Sequence, residues 1–312
     1  MKRFEIFLKR LANFGLSFTL QMYFVKRVYG DESYIRFLLS KLHCLFSDEI
    51  EAGKQEPVVF KKEKGKPFVW TMWWQGENAL PEILKVCYKS HLKYIDQSKY
   101  KYTMITKDNY TDYIIIPDYI EEKLKKGIIS FTHFSDLLRI MLVRKYGGAW
   151  IDITLLLTSQ LNPLIFNYCF YSFNQKDSDY LPVGFGQTIT KCNWAGFFLC
   201  APPDSNLFCF VEKCLLKYWK DYDYTLDYFL LNLIIRLGYN EIDQIARAVK
   251  CVPLNNKKLY CLQPLMNKCY SEEVFRSICK DTHFFKLTQK VNYVEYSKNK
   301  TTFYNYLKNQ YL

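Results

Sequence analysis

The sequence predicts an α/β protein with a mostly parallel central sheet, preceded by a helical extension. Three observations carry this. From Pro67 onward, short runs of strand-forming residues alternate with segments of helical periodicity, and such alternation builds parallel sheets. At 312 residues and 49% hydrophobic, the chain has the material for a large core. No tract of about 18 apolar residues, no internal repeat and no low-complexity segment points to a membrane span, a solenoid or disorder.

Taken in order, residues 1–50 read as the helical extension. Phe4, Phe7, Leu8 and Leu11 recur at helical spacing, with Lys2, Arg3, Lys9 and Arg10 elsewhere on the cylinder. A basic amphipathic helix of this kind suits an anionic membrane surface. The alternative is a helix that packs on its own domain. Residues 51–66 read as a charged linker, with Lys61, Lys62, Lys64 and Lys66 mixed with Glu. The main domain then spans residues 67–312.

Within it, Phe68 to Trp73 reads as a first strand, and Pro81 opens a helix running to about His91. Tyr100 to Thr106 reads as a second strand, and Asp118 to Lys126 as a helix stopped by Gly127. Leu137, Leu138, Met141 and Leu142 form one apolar face of a helix that Gly147-Gly148 ends. Trp150 to Leu157 reads as one strand, with Phe170 to Phe173 and Ala195 to Leu199 as further strands. Asn206 to Lys220 and Thr225 to Leu237 read as helices. From Cys251 onward the pattern is ambiguous.

Charge and cysteine content narrow the function classes. Lys+Arg 43 against Asp+Glu 31 gives +12, which attracts nucleic acid, anionic lipid or phosphorylated ligands. No RNP, zinc or helix-turn-helix pattern supports nucleic acid, so no nucleic-acid partner is expected. Eleven Cys form no CxxC pair and, with only four His, no metal spacing. Free thiols imply a reducing compartment, and no secretory signal is visible around Met1-Lys2-Arg3, where charges recur at Glu5, Lys9 and Arg10. The expected location is the cytoplasm, peripheral at the inner face of the cell membrane.

The stretch from Ser135 to Thr154 carries the chemistry. Asp136 and Arg139 are three apart, so both project near one helix edge. The Gly-Gly turn reverses the chain into a strand and leaves Asp152 near its carboxyl end, where α/β sheets collect ligands. Asp152 could offer a carboxylate to a hard cation that a nucleotide diphosphate would share. Taken singly, an Asp-Arg pair on a helix is ordinary surface electrostatics, and Gly-Gly an ordinary cap.

Together, Ser135, Asp136, Arg139, Gly147, Gly148, Asp152 and Thr154 resemble the signature of the capsular polysaccharide synthesis glycosyltransferases. These are relatives of the glycosyltransferases with a DxD sugar-binding region. The resemblance runs from about Pro67 to Lys290. It includes Trp70-Thr71-Met72-Trp73-Trp74-Gln75-Gly76, Ile105-Thr106-Lys107-Asp108-Asn109, Leu226-Asp227-Tyr228-Phe229 and Lys286-Leu287-Thr288 with Lys290. It implies a GT-A fold, a Rossmann-like domain for a nucleotide sugar, and retaining transfer with Mn²⁺ or Mg²⁺. It implies a UDP-linked hexose or N-acetylhexosamine donor, and a bacterial capsule or surface oligosaccharide, linked to lipid diphosphate, as acceptor. It assigns the metal to Asp152, the donor to Trp73, Asp136, Arg139, Asp152 and Lys286, and catalysis to Asp136 and Asp227. Two positions depart from the pattern. Thr154 stands where the wider group has a second Asp, and Phe285 where a His usually precedes the Lys. The alternative function is a non-catalytic nucleotide-sugar or glycan-binding scaffold on the same fold.

Overall fold

The computed structural model describes residues 2–57, 65–176, 178 and 184–312. Three helices come first: α1 (Lys2–Phe14), α2 (Leu16–Leu45) and α3 (Ser47–Gln55). There follow β1 (Phe68–Met72), α4 (Glu82–Tyr94), β2 (Lys101–Ile105), α5 (Asp118–Lys125) and α6 (Phe131–Tyr146). After β3 (Gly148–Ile151), β4 (Leu155–Leu157) and β5 (Tyr171–Ser172) come α7 (Phe185–Thr190) and β6 (Phe198–Ala201). Next are α8 (Asn206–Asp221), α9 (Leu230–Glu241), α10 (Asp243–Lys250) and α11 (Glu272–Cys279). The chain closes with β7 (Phe284–Lys286), the hairpin β8 (Tyr296–Ser297) and β9 (Lys300–Thr301), and α12 (Phe303–Tyr311).

The central sheet has the order β2-β1-β3-β6-β5. β1 pairs in parallel with both β2 and β3, and β6 runs antiparallel to both β3 and β5. Four of the five strands therefore point the same way, which is the mainly parallel α/β sheet the alternation predicts. Trp70, Trp150 and Phe134 are fully buried between this sheet and its helices. No helix of the described residues is long and apolar enough to cross a membrane.

The helical extension expected over residues 1–50 packs in part on the main domain. α2 breaks at Gly30, whose φ of 74° lies in the left-handed region. Beyond the break Tyr34, Ile35, Leu38 and Leu42 enter the main core, and α2 packs on α7 and α9. Before it, large apolar side chains stay exposed. Of the segment 51–66 expected as a linker, the part up to Gln55 belongs to α3, and Lys61, Lys62 and Lys64 lie outside the described residues.

The largest departure falls at the predicted strand Trp150–Leu157. It is two strands in two different sheets. β3 stays in the central sheet, while β4 pairs antiparallel with β7, placing Leu155 opposite Lys286. Between them the chain turns, with the Leu155 N–H donating to the Asp152 carbonyl at 2.9 Å. Apolar residues continue on both sides of this turn, so the pattern alone reads as one strand. Two other elements are displaced. The Ala195–Leu199 strand lies at Phe198–Ala201, and the Thr225–Leu237 helix starts at Leu230.

The junction of α6 and β3 fixes the site geometrically. The Gly147 carbonyl accepts from the Trp70 indole at 3.1 Å. Gly148 has φ of 92°, and a Cβ there would sit 2.2 Å from the Phe68 carbonyl oxygen. Neither the dihedral nor the space admits a side chain. Gly148→Ala is therefore expected to cost roughly 3 kcal/mol or more, from backbone strain plus overpacking. Equilibrium urea unfolding measures this; a loss within about 0.5 kcal/mol, typical of neutral surface changes, would contradict it.

Candidate active site

A cleft of about 980 Å³ opens at the carboxyl end of β1 and β3. This is where the first parallel strands deliver side chains past the sheet edge. Its floor holds Arg139, Asp152 and Lys286, and its walls carry Trp73, Trp74, Phe131, Tyr228 and Tyr260.

Arg139 is placed by α6. Ser130 caps the helix, its Oγ accepting the His133 N–H at 3.3 Å, and Arg139 then lies one turn beyond Ser135. It is only 6% exposed. Its Nε donates to the Ser135 carbonyl at 3.3 Å, its Nη2 to Ser135 Oγ at 3.2 Å, and its Nη1 to the Gly196 carbonyl. The same Nη2 stands 3.3 Å from Asp136 Oδ1 and 3.6 Å from Asp152 Oδ1. The guanidinium carbon lies 5.0 Å from the centroid of the Trp150 ring. A buried cation survives here because every direction holds an acceptor or a π face.

Asp152 follows β3 directly. Its N–H donates to the Phe197 carbonyl at 3.0 Å, and its Oδ1 accepts from the Trp150 indole at 2.7 Å. Lys286 arrives from β7, with Nζ 3.4 Å from Asp152 Oδ2 and donating to Thr154 Oγ1. That ammonium also lies 4.3 Å from the centre of the Phe197 ring.

The two carboxylates are driven apart by their surroundings. Burial pushes Asp136 up to about 6; Arg139 opposes this and the negative Asp152 adds to it. Burial also acts to raise Asp152. There Arg139 and Lys286, with the Trp150 N–H, overcome it and hold the carboxyl below its ordinary value. Burial likewise lowers Lys286, in part offset by Asp152.

The structure thus brings Arg139, Asp152 and Lys286 together, with Trp73 on the same cleft. Trp73 lies just past β1, its indole donating to the Ala79 carbonyl at 3.2 Å. Asp136 sits behind Arg139 rather than on the cleft wall. Asp227 is also absent from the wall. Its Oδ1 accepts the Phe229 N–H at 3.0 Å in the turn before α9, and Tyr34 of α2 lies close enough to act on it electrostatically. Burial raises its pKa although that N–H, Lys26 and Arg10 oppose the shift. The next residue, Tyr228, is 57% exposed and does line the cleft. Sequence reasoning gave no site role to Tyr228, Phe131 and Tyr260. Tyr228 falls in the Leu226–Phe229 segment that carries the resemblance, but the role there was given to Asp227. Phe131 and Tyr260 have no local signal beyond the chain's 18% aromatic content, which does not single out positions.

The corner does not make a divalent-cation site from its own side chains. Asp152 is the sole carboxylate among the described residues lining the cleft, and both its oxygens are engaged. Thr154 Oγ1 already accepts from Lys286. Among the described residues no three of His, Cys, Asp and Glu converge as ligands.

The cleft is aromatic-walled, carries more positive than negative side chains among the described residues, and lies at the carboxyl end of a mainly parallel sheet, where such sheets collect ligands. The chain belongs to the capsular polysaccharide synthesis protein family, whose model matches residues 25–307. No curated protein sequence matches it. Among solved structures it is similar to the apo structure of the bifunctional glycosyltransferase WbbM, at 11% identity and a TM-score of 0.40. That match covers 80% of this chain and 50% of the other, so this chain spans about half of that length. It is also similar to the PaToxG glycosyltransferase, at 10% identity and a TM-score of 0.40, over 80% of this chain and 98% of that one.

The Asp136 shift has a consequence for stability. Between about pH 4 and pH 6 the folded protein holds a proton that the unfolded chain has released. Stability from this group is therefore highest at the acid end, falls as pH rises through that window, by up to about 3 kcal/mol, and is flat above it. Asp136→Asn is expected to remove this slope. Urea unfolding of both proteins across the window checks it, and identical pH dependences would contradict it.

Proposed function

We propose that this protein transfers a hexose or N-acetylhexosamine from a nucleotide diphosphate sugar to a growing capsular or surface oligosaccharide. The observation that carries this is the convergence of Arg139, Asp152 and Lys286 on the floor of one aromatic-walled cleft. The aromatic walls suit a base and a sugar ring, and the cations suit a diphosphate. UDP is the nucleotide that the family resemblance favours. Asp152 orients Arg139 and Lys286, and these stabilise the charge that develops on the departing diphosphate.

No second carboxylate faces the cleft among the described residues, which supports transfer without an enzyme nucleophile. The anomeric carbon–oxygen bond to the diphosphate breaks as the acceptor oxygen bonds to the same carbon. The acceptor proton passes to the leaving phosphate oxygen, and the configuration is retained. Purified protein given a panel of UDP- and GDP-sugars with an oligosaccharide acceptor is expected to release nucleotide. Asp152→Asn is expected to lower that rate by roughly 100-fold or more while the protein stays folded. Donor binding without any release by the wild type would contradict transfer and favour a binding scaffold.

The acceptor in this reading is linked to a lipid diphosphate, and the N-terminal helices meet the membrane that holds it. Phe4, Leu8, Leu16, Leu20, Phe24 and Tyr29 are all exposed, Phe4 at 67%. Between residues 4 and 29 four basic residues stand against one acidic residue. Such a face gains from apolar insertion and from anionic headgroups. The placement favours delivery to the cleft, because the same α2 packs on α9, and Tyr228, just before α9, is on the cleft wall. In sedimentation with vesicles, the protein is expected to prefer phosphatidylglycerol over phosphatidylcholine. Leu20→Asp with Phe24→Asp should weaken this about ten-fold or more. Equal pelleting of wild type and variant would contradict a membrane role for this face.

A further inference from the structure

Four charged side chains line the cleft among the described residues: Arg139, Lys286 and Lys290 against Asp152. A nucleoside diphosphate brought here finds a surplus of two positive charges. A divalent cation added at the same corner would stand beside Arg139 and Lys286, which already share one carboxylate.

Lys286 is held where such an ion would need to sit. Its Nζ lies between Asp152 Oδ2 and Thr154 Oγ1, the two side chains that flank the turn after β3. The position is set by backbone. The Lys286 N–H donates to the Leu259 carbonyl at 2.9 Å, and the Leu287 N–H donates to the Thr154 carbonyl at 2.9 Å. Phe197 packs against the ammonium. The preceding residue offers no ligand, since Phe285 is fully buried in the core behind β4 and β7. An ammonium has three hydrogens. Asp152 and Thr154 take two, and the third is left for a phosphate oxygen.

We propose that Lys286 takes the place of a divalent cation, so that this cleft holds a nucleoside diphosphate without metal. This rests on the donor-site reading above. Arg139 and Lys290 complete the countercharge, and Asp152 serves to position Lys286 and Arg139 rather than to ligate an ion.

The test is isothermal titration calorimetry of the full chain with UDP and with GDP, once in EDTA and once with Mn²⁺. Metal is expected to change the affinity of the better nucleotide by less than about five-fold, or about 1 kcal/mol. Lys286→Met is expected to bind about 30-fold more weakly in EDTA, and Mn²⁺ is expected to recover part of that loss, because Asp152 and Thr154 are then released. Lys286→Arg is expected to keep metal-free binding. Wild-type binding that appears only with Mn²⁺, or tightens by more than about five-fold, would overturn the proposal while leaving the donor site intact. No binding of either nucleotide under either condition would overturn both.

Discussion

The site depends on one buried guanidinium. Arg139 holds the carbonyl and hydroxyl of Ser135, the carbonyl of Gly196, and the carboxylates of Asp136 and Asp152, while resting on Trp150. These groups come from α6, from the end of β3 and from the loop before β6. A buried charge is stable only when fully partnered, and removing one side of such a network typically costs about 3–5 kcal/mol. Arg139 thus converts three separate backbone segments into one rigid corner. That corner stays in register because Gly147 and Gly148 let α6 turn directly into β3 against Trp70 and Phe68.

The same cation divides the labour of the two carboxylates. Asp136 is behind it, buried and pushed towards protonation, while Asp152 faces the cleft and is held ionised by Arg139 and Lys286 together. An ionised Asp152 keeps both cations aimed into the cleft. The result is a floor that is positive yet ordered, which is what a diphosphate leaving group requires of a preorganised site. In the proposed donor site the aromatic walls limit water at this floor and strengthen those charges.

Much of this was legible in the sequence, and the parts that were not share a cause. β1, α4, β2, α5 and the end of α6 follow from local periodicity and from Pro81, Gly127 and Gly147. The Ser135, Asp136 and Arg139 cluster follows from helical spacing. The break between β3 and β4 does not, because Ile151 and Leu155 to Leu157 are equally apolar while belonging to different sheets. Lys286 was reached only through the family resemblance. It meets Asp152 by a β4–β7 pairing across more than a hundred residues, which no local pattern encodes. Asp227 fell to a similar limit. Its neighbours Tyr34, Lys26 and Arg10 come from the N-terminal helices, whose docking on α9 depends on tertiary packing.

In the proposed function the corner of Arg139, Asp152 and Lys286 receives the diphosphate of a nucleotide sugar. A crystal structure of the protein soaked with UDP tests it most directly. The diphosphate is expected beside Lys286 and Arg139, with the base against the aromatic wall that includes Trp73. Ordered UDP bound elsewhere, with the Lys286–Asp152 pair untouched, would contradict it.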